Sequence, residues 1–522
     1  MKEEALTKEA LAAFAKENRK AFEELLKEFV EIPTVSNDPT KKAYIRDMAK
    51  IASDTILKFG GQPETIETGE KGNPIVSGKW GDDPSLPTVT VYNHLDVQPA
   101  SKESEPWETE PFTFTTKGDK YFGRGTTDDK GPPRSALFGI KAALAADVPA
   151  NLRVLWEFEE EIGSPSFEKG ITENKATLKT DSVIVSDTIW IARGKPAAPA
   201  GLRGLQGFLF TLETGTTDQH SGVCGGAARN PIAELMQLVS ECFDAKTGKV
   251  KIPGFYEDVV PPTKKELEDF KKSGFTVAGF KKDHLFKSLR TNDPLDLMKR
   301  IWAQPTFEIH GVVGGYTGPG LKTVIPPRAE VKVSCRLVPN QDPEKICKAI
   351  EKFVKSKNPD VKVERANRLG PYQGLTTGPL ADAVRRSMKF AFGREPVFVR
   401  EGGSIGAVIT MEQVLEAPIL FLGLSLPEHG YHAPNENFDW EQASGGMVAF
   451  ARYFAEVAKL GKPDPAAKVA PAPKKKAAKA KPAPAKAAPV KKAPAKAVAA
   501  KPVAKAAPAK PAPAKKVTAK KK

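Results

Sequence analysis

Apolar residues along the chain follow two rhythms. Thr88 to Tyr92, Leu152 to Phe158 and Ser182 to Val185 are short apolar runs of strand type, and a helical pattern covers about Arg134 to Ala146. This alternation predicts an α/β fold, a mostly parallel sheet with helices on both faces. From Gly204 the order changes to a strand at Phe208 to Glu213, a helix at Pro231 to Phe243, strands near Phe307 to His310 and Glu330 to Leu337, a helix at Pro343 to Lys355 and a strand at Val361 to Glu364. That order is close to β-α-β-β-α-β, a two-layer ferredoxin-like unit inserted into the larger domain. A helix at Pro379 to Phe392 and strands at Val397 to Arg400 and Pro418 to Leu422 then resume the first style. The organisation expected is a main domain in two parts (1–203 and 376–461), an inserted unit (204–375) and a C-terminal tail (462–522).

Charge has to be divided along the chain before it is interpreted. The net charge is +15 over 522 residues. Residues 466–522 hold 18 lysines and no acidic residue, which leaves 61 basic and 64 acidic residues in the other 465, a net charge of −3. The tail is also Ala- and Pro-rich and lacks aromatic residues, so it is expected to be disordered and carries the whole basic excess. No apolar run approaches the ~18 to 20 residues of a membrane span. Residues 1–20 show no secretory or transit pattern, so the cytoplasm is the default. Cys224, Cys242, Cys335 and Cys347 have no metal-cage spacing and read as reduced structural thiols.

The candidate chemistry gathers where strands run into loops. TVTVYNHLD ends a strand with His94 and Asp96 on one face, a carboxylate beside an imidazole as in metal sites, although taken alone the pair reads equally as structural. Asp128 sits in the glycine-rich loop 123–131, which alternatively caps a helix. Glu159, Glu160 and Glu161 follow an apolar strand; they form a solvated loop or need cations to balance their mutual repulsion. Asp187 follows another apolar run, and His432 lies in a late loop after the 418–422 strand. In open α/β sheets these strand ends converge on one side. Imidazoles and carboxylates without thiolates suit zinc or manganese, and a shared carboxylate can hold two ions. His284, His310 and His429 have no comparable partner set and are expected to be structural.

The run of HLD (94–96), GRGTTDDKGP (123–132), EEIGS (160–164), VSD (185–187), QHSG (219–222), KTVIP (322–326), RLVPN (336–340), REGGSIG (400–406) and HAPNE (432–436) resembles peptidase family M20, in its carnosinase-like, cytosolic non-specific dipeptidase branch. The likeness spans about residues 1–461. It implies a di-metal exopeptidase domain, with the inserted unit as a lid and dimerisation domain. It implies His94, Asp128 and Asp187 on one metal, and Asp128, Glu161 and His432 on the other. Two divalent ions per subunit are implied, zinc foremost and manganese or cobalt otherwise. Glu160 would be the general base and Asp96 the group orienting His94. His220 would reach the partner subunit's site in a homodimer, and Thr323, Arg336 and Ser404 would contact substrate. The substrate implied is a dipeptide or short peptide with a free C-terminal carboxylate; an N-acyl amino acid, as taken by related deacylases, is the alternative.

Two rival readings compete. Gly402 to Gly406 satisfies G-x-S-x-G after a strand, the setting of a serine nucleophile at Ser404. Only 27 residues separate Ser404 from His432, little room for the acid of a triad, and the N-terminal carboxylates would be left without a role. The second rival is a non-enzymatic binder whose basic tail holds DNA or RNA. As an addition to catalysis, non-specific polyanion contact by the tail remains an expectation.

Overall fold

The computed structural model describes residues 1–463; the lysine-rich run, and the disorder expected of it, lie outside the described residues. Helices α1 (Lys8–Glu17), α2 (Arg19–Val30) and α3 (Lys42–Lys58) open the chain. Strands β1 (Gln62–Ile66), β2 (Ile75–Trp80) and β3 (Thr88–His94) follow, then helix α4 (Gly131–Ala145) and strands β4 (Asn151–Glu157) and β5 (Ser182–Val185). Next come β6 (Ala197–Leu202), β7 (Gly204–Glu213), α5 (Pro231–Cys242), α6 (Lys264–Lys272), α7 (Val277–Asp283) and α8 (Pro294–Trp302). Strands β8 (Glu308–Gly314) and β9 (Arg328–Leu337), helix α9 (Pro343–Lys357) and β10 (Lys362–Leu369) precede α10 (Pro379–Phe392). The described fold closes with β11 (Val397–Glu401), α11 (Gly406–Leu415), β12 (Ile419–Phe421) and α12 (Trp440–Leu460).

The main sheet has the order β1-β2-β4-β3-β5-β12. β4, β3, β5 and β12 pair in parallel, and β2 and β1 extend the sheet in antiparallel fashion. Every residue of β4 and β5 is buried, which explains their continuous apolar runs. Period-2 geometry sends Val89 and Val91 to the face covered by α4 and α12, and Tyr92 to the face covered by α11. Helices α4 and α12 approach closely at Gly139, where a Cβ would stand 2.5 Å from the Phe450 Cβ.

The second sheet, β8-β9-β7-β10, is antiparallel throughout and has the strand order of the β-α-β-β-α-β unit. Its amphipathic helices α5 and α9 begin with Pro after Asn230 and Asp342, whose side chains accept from the Ile232 and Glu344 amides at 3.1 and 2.8 Å. Cys242, Cys335 and Cys347 are free thiols buried in this unit's core, with Phe210 and Ile350. Among the described residues no helix is long and apolar enough to cross a membrane.

One strand departs from the expected placement. Val397–Glu401 does not rejoin the main sheet; it pairs in parallel with β6 in a small separate sheet. Its partner sequence, AAPAGL, is made of small residues and carries no β-branched signal, so neither strand nor pairing was visible in the pattern. β1 and β2 were hidden in the same way by Pro63 and Gly78. Helices α6 and α8 pack on this small sheet through Phe270, Met298 and Trp302 against Ala197 and Val399.

Candidate metal centre and substrate pocket

His94 ends β3, and its ring is fully buried. Its Nδ1 lies 3.0 Å from the Asp96 carbonyl and 3.4 Å from the Asp96 carboxylate, which fixes the ring and aims Nε2 into the site. The Asp96 carboxylate also accepts from the amides of Glu160 and Glu161 at 3.2 and 3.1 Å. One buried acid thus holds both the His94 ring and the turn after β4. The three consecutive glutamates divide accordingly. Glu159 accepts from the amides of Asn73 and Ser166, both at 2.8 Å, and is structural, while Glu160 and Glu161 turn to the site.

Asp128 stands at the centre. One carboxylate oxygen is 3.2 Å from His94 Nε2 and the other 3.1 Å from His432 Nε2. Asp187 is 3.7 Å from His94 Nε2, and Glu161 is 3.0 Å from His432 Nε2. Ligand atoms of His94, Glu160 and Asp187 lie within 4.8 Å of one another, as do those of Asp128, Glu161 and His432. Glu160 therefore stands beside His94 and Asp187 in the first group. His432 reaches inward from the exposed rim with a left-handed backbone, φ 54°.

This crowding has an electrostatic signature. Burial and neighbouring acids raise the Asp187 carboxyl to about 7 and push Glu160 well above the usual carboxylate range. Burial also disfavours ionised Asp128, but hydrogen bonds from His432 and His94 prevail and hold it below its ordinary value. His432 is correspondingly pushed up to about 11 by Asp128 and Glu161. Among the described residues these carboxylates find no lysine or arginine partner; the two imidazoles are their only cationic neighbours within ion-pair distance. Four carboxylates and two imidazoles, with one carboxylate facing both rings, fit a pair of divalent cations.

Glu436 was not singled out from the sequence. Buried and within HAPNE, it accepts from the Arg124 guanidinium at 2.8 Å and from the amides of Gly125, Thr127 and Asp128 at 2.9, 2.9 and 3.0 Å. Gly125 permits the loop with φ 87°. The segment that carries His432 therefore clamps the loop that carries Asp128. Glu401 was missed as well: at the end of β11, its Oε2 is buried without a hydrogen-bond partner, and burial with Asp187 and Asp128 nearby raises its carboxyl to about 8. Tyr431 donates to Asp187 at 3.2 Å. The only sequence signal for Glu436 and Glu401 was membership of the motif runs, and Tyr431 lay just outside them.

The remaining candidates form two further pairs. Arg336, at the end of β9, donates to Ser404 Oγ at 2.9 Å, and Ser404 donates to the Arg203 carbonyl. Arg203 and Arg336 are close enough to repel each other, and among the described residues their guanidinium groups donate to the Gly402 carbonyl and to Ser404 Oγ, with no carboxylate at ion-pair distance. Ser404 thus has a guanidinium and a carbonyl as partners rather than an imidazole, and the serine-nucleophile reading fails. His220 is exposed and accepts from the Gly222 amide at 2.9 Å; its strand pairs with 324–325, and Ser221 donates to the Thr323 carbonyl at 3.0 Å. His429 is buried between Asp439 and Thr127, and His310 bonds Ser334.

Acidic and imidazole ligands gathered at the carboxyl ends of parallel strands, beside a separate antiparallel unit, define a metallopeptidase architecture. Residues 90–456 match the model of peptidase family M20/M25/M40, and the chain belongs to that family. It is 34% identical over 456 residues to the Cys-Gly metallodipeptidase of Schizosaccharomyces pombe, covering 83% of this chain and 94% of the relative. It is 30% identical over 461 residues to human Beta-Ala-His dipeptidase, covering 84% and 90%. Among solved structures, the di-peptidase Dug1p of Saccharomyces cerevisiae superposes with a TM-score of 0.78 at 30% identity, over 87% of this chain and 99% of that one. An M20 family metallo-carboxypeptidase of Sulfolobus solfataricus gives 0.77 at 30%, over 83% and 98%.

Proposed function

We propose that this chain hydrolyses the peptide bond of dipeptides, and of short peptides with a free C-terminal carboxylate, with two divalent cations, zinc foremost and manganese or cobalt otherwise. The observation that carries this reading is Asp128, whose two oxygens face two imidazoles from opposite ends of the chain. His94, Asp128 and Asp187 would hold one ion, and Asp128, Glu161 and His432 the other. Bound there, the ions would supply a more acidic water molecule and polarisation of the scissile carbonyl. Glu160 accepts the water's proton as its oxygen attacks the carbonyl carbon, and passes it to the leaving amine as the C–N bond breaks. Asp96 keeps Glu160 in place through the backbone amide it binds.

The two ends of the substrate meet opposite charges. The adjacent Arg203 and Arg336 favour a carboxylate, and Arg336 offers it a bidentate fork. Glu401, unpartnered beside the acidic cluster, favours a free ammonium, and so favours dipeptides over N-acyl amino acids. A panel of dipeptides, N-acetyl and N-succinyl amino acids tests this choice. Amidating the substrate's C-terminus, or Arg336→Ala, is expected to weaken kcat/KM by ~1.5 to 3 kcal/mol, the worth of a hydrogen bond to a charged group. The two changes together should cost little more than either alone; additive losses would separate Arg336 from the carboxylate.

The enzyme is read as a homodimer in which His220 acts across the interface on the developing oxyanion, with Thr323 beside it. Support comes from β8, an edge strand that leaves Ile309, Val312 and Val313 exposed, and from exposed Met236 on α5. Mixing His220→Ala chains with Glu160→Gln chains should restore activity, because one site of each heterodimer regains both groups. No recovery after verified subunit exchange would place His220 within its own chain or outside catalysis.

A cytoplasmic location belongs to the same reading, and the four free cysteines fit a reducing compartment. The tail is read as a non-specific DNA- or RNA-binding arm, on its 18 lysines. Deleting residues 466–522 should leave small-substrate kinetics unchanged and remove most nucleic-acid retention at low salt, with affinity falling steeply as salt rises. Equal gel-shift retention by both forms would reduce the tail to a solvating extension.

A further inference from the structure

We infer that the cavity beside Glu401 is the subsite for a bulky apolar or aromatic side chain on the first residue of the dipeptide, an assignment that rests on the dipeptidase reading above. A cavity of about 400 Å³ lies between the β6–β11 sheet and helices α7 and α8. Trp190, Phe275, Phe280 and Trp302 line it, with Glu401 and Tyr431 at the end nearest the acidic cluster. Its size is that of a preformed ligand site, and its apolar wall is bordered by ionisable groups, Lys195, Arg400 and Glu401 together with Asp283 and His284, of which Asp283 is exposed.

The charges at its edge decide which part of the substrate enters. Arg400 lines the cavity, but its guanidinium is paired with Glu266 at 2.7 Å. Lys195 is occupied by the Gly274 carbonyl at 2.8 Å. Glu401 is the carboxylate left with an unpartnered buried oxygen, and it stands where the aromatic wall meets the catalytic groups. In an N-terminal residue the ammonium and the side chain branch from one Cα, so an ammonium on Glu401 directs its side chain along the aromatic wall. A C-terminal residue would bring its carboxylate against Glu401, whereas Arg203 and Arg336 favour that group elsewhere. The wall is built rather than incidental. Phe270 and Phe275 pack on Trp302 with ring centroids 5.0 and 5.8 Å apart, and Glu266, which holds Arg400, also caps α6.

The test is a kcat/KM series on the full-length, zinc-loaded enzyme with Gly-Gly, Ala-Gly, Leu-Gly, Phe-Gly and Gly-Phe. Phe-Gly and Leu-Gly should exceed Ala-Gly at least about tenfold, the scale set by burying several apolar carbons, and Gly-Phe should gain nothing over Gly-Gly. Phe280→Ala should remove most of that preference while Gly-Gly turnover stays within about twofold. Ala192→Phe, which fills the cavity from another lining position, should do the same if Phe280→Ala misfolds. Calorimetry on Glu160→Gln should show the same order in binding, with Phe-Gly tighter than Ala-Gly. Equal or better use of Ala-Gly, or a gain that follows the second residue, would overturn the assignment and leave the dipeptidase reading intact. Failure of every dipeptide, with N-acyl amino acids hydrolysed, would overturn both.

Discussion

Glu160→Gln is expected to lower turnover of a dipeptide by ~10² to 10⁴, the range for a lost acid-base group, while the protein keeps its fold and its metal. The variant preserves the shape of the side chain and its place beside His94 and Asp187. It also preserves the Glu160 amide bound by Asp96, because that bond is made by the backbone. What it removes is the capacity to take a proton from water and return it to the amine. The neighbouring Glu161→Gln should behave differently: Glu161 faces His432 at 3.0 Å and accepts from Gln98, so that change should show first as lost metal. Elemental analysis beside steady-state kinetics distinguishes the two. If Glu160→Gln lost metal and Glu161→Gln kept it, the adjacent pair would be assigned the wrong way round.

Removing the metal is expected to abolish turnover and to lower the thermal midpoint together. Asp128 and Asp187 are buried and Glu160 and Glu161 half-buried in two adjoining groups whose only cationic partners at ion-pair distance, among the described residues, are two imidazoles. Without a compensating cation these groups repel, and each must take up a proton or leave the cluster. A ligand bound only by the native state stabilises it by about 4 kcal/mol when its free concentration is a thousandfold above its Kd. Dialysis against chelator should therefore yield an inactive protein that unfolds at lower temperature. Adding back zinc should restore both properties, with about two ions per chain by elemental analysis. Full activity in a metal-free preparation, or a midpoint that ignores the chelator, would count against the two-cation site.

Glu436 and Glu401 mark the boundary between what could and could not be read ahead of the structure. Neither stood out as an isolated residue, because a glutamate after a strand or in a loop is ordinary at a surface. Glu436 acquires its role only when the late loop folds onto residues 124–128, and Glu401 only when β11 pairs with β6 instead of entering the main sheet. Asp96 is intermediate: its position beside His94 was local, but its grip on the amides of Glu160 and Glu161 spans two strands.

The amino-acid order alone carried the α/β class, the inserted antiparallel unit and the residues His94, Asp128, Glu160, Glu161, Asp187 and His432. Each of these follows from features within a few residues: an apolar run that needs covering on both faces, a glycine-rich turn, a carboxylate or imidazole where a strand ends. Strand pairing, the two faces of Asp128, the proximity of Arg336 and Arg203, and the aromatic wall against Glu401 were decided by tertiary structure. These depend on contacts between segments far apart in the chain. Small residues such as those of β6 set no period of their own, and a charge gains or loses a partner only when packing brings one within a few ångströms.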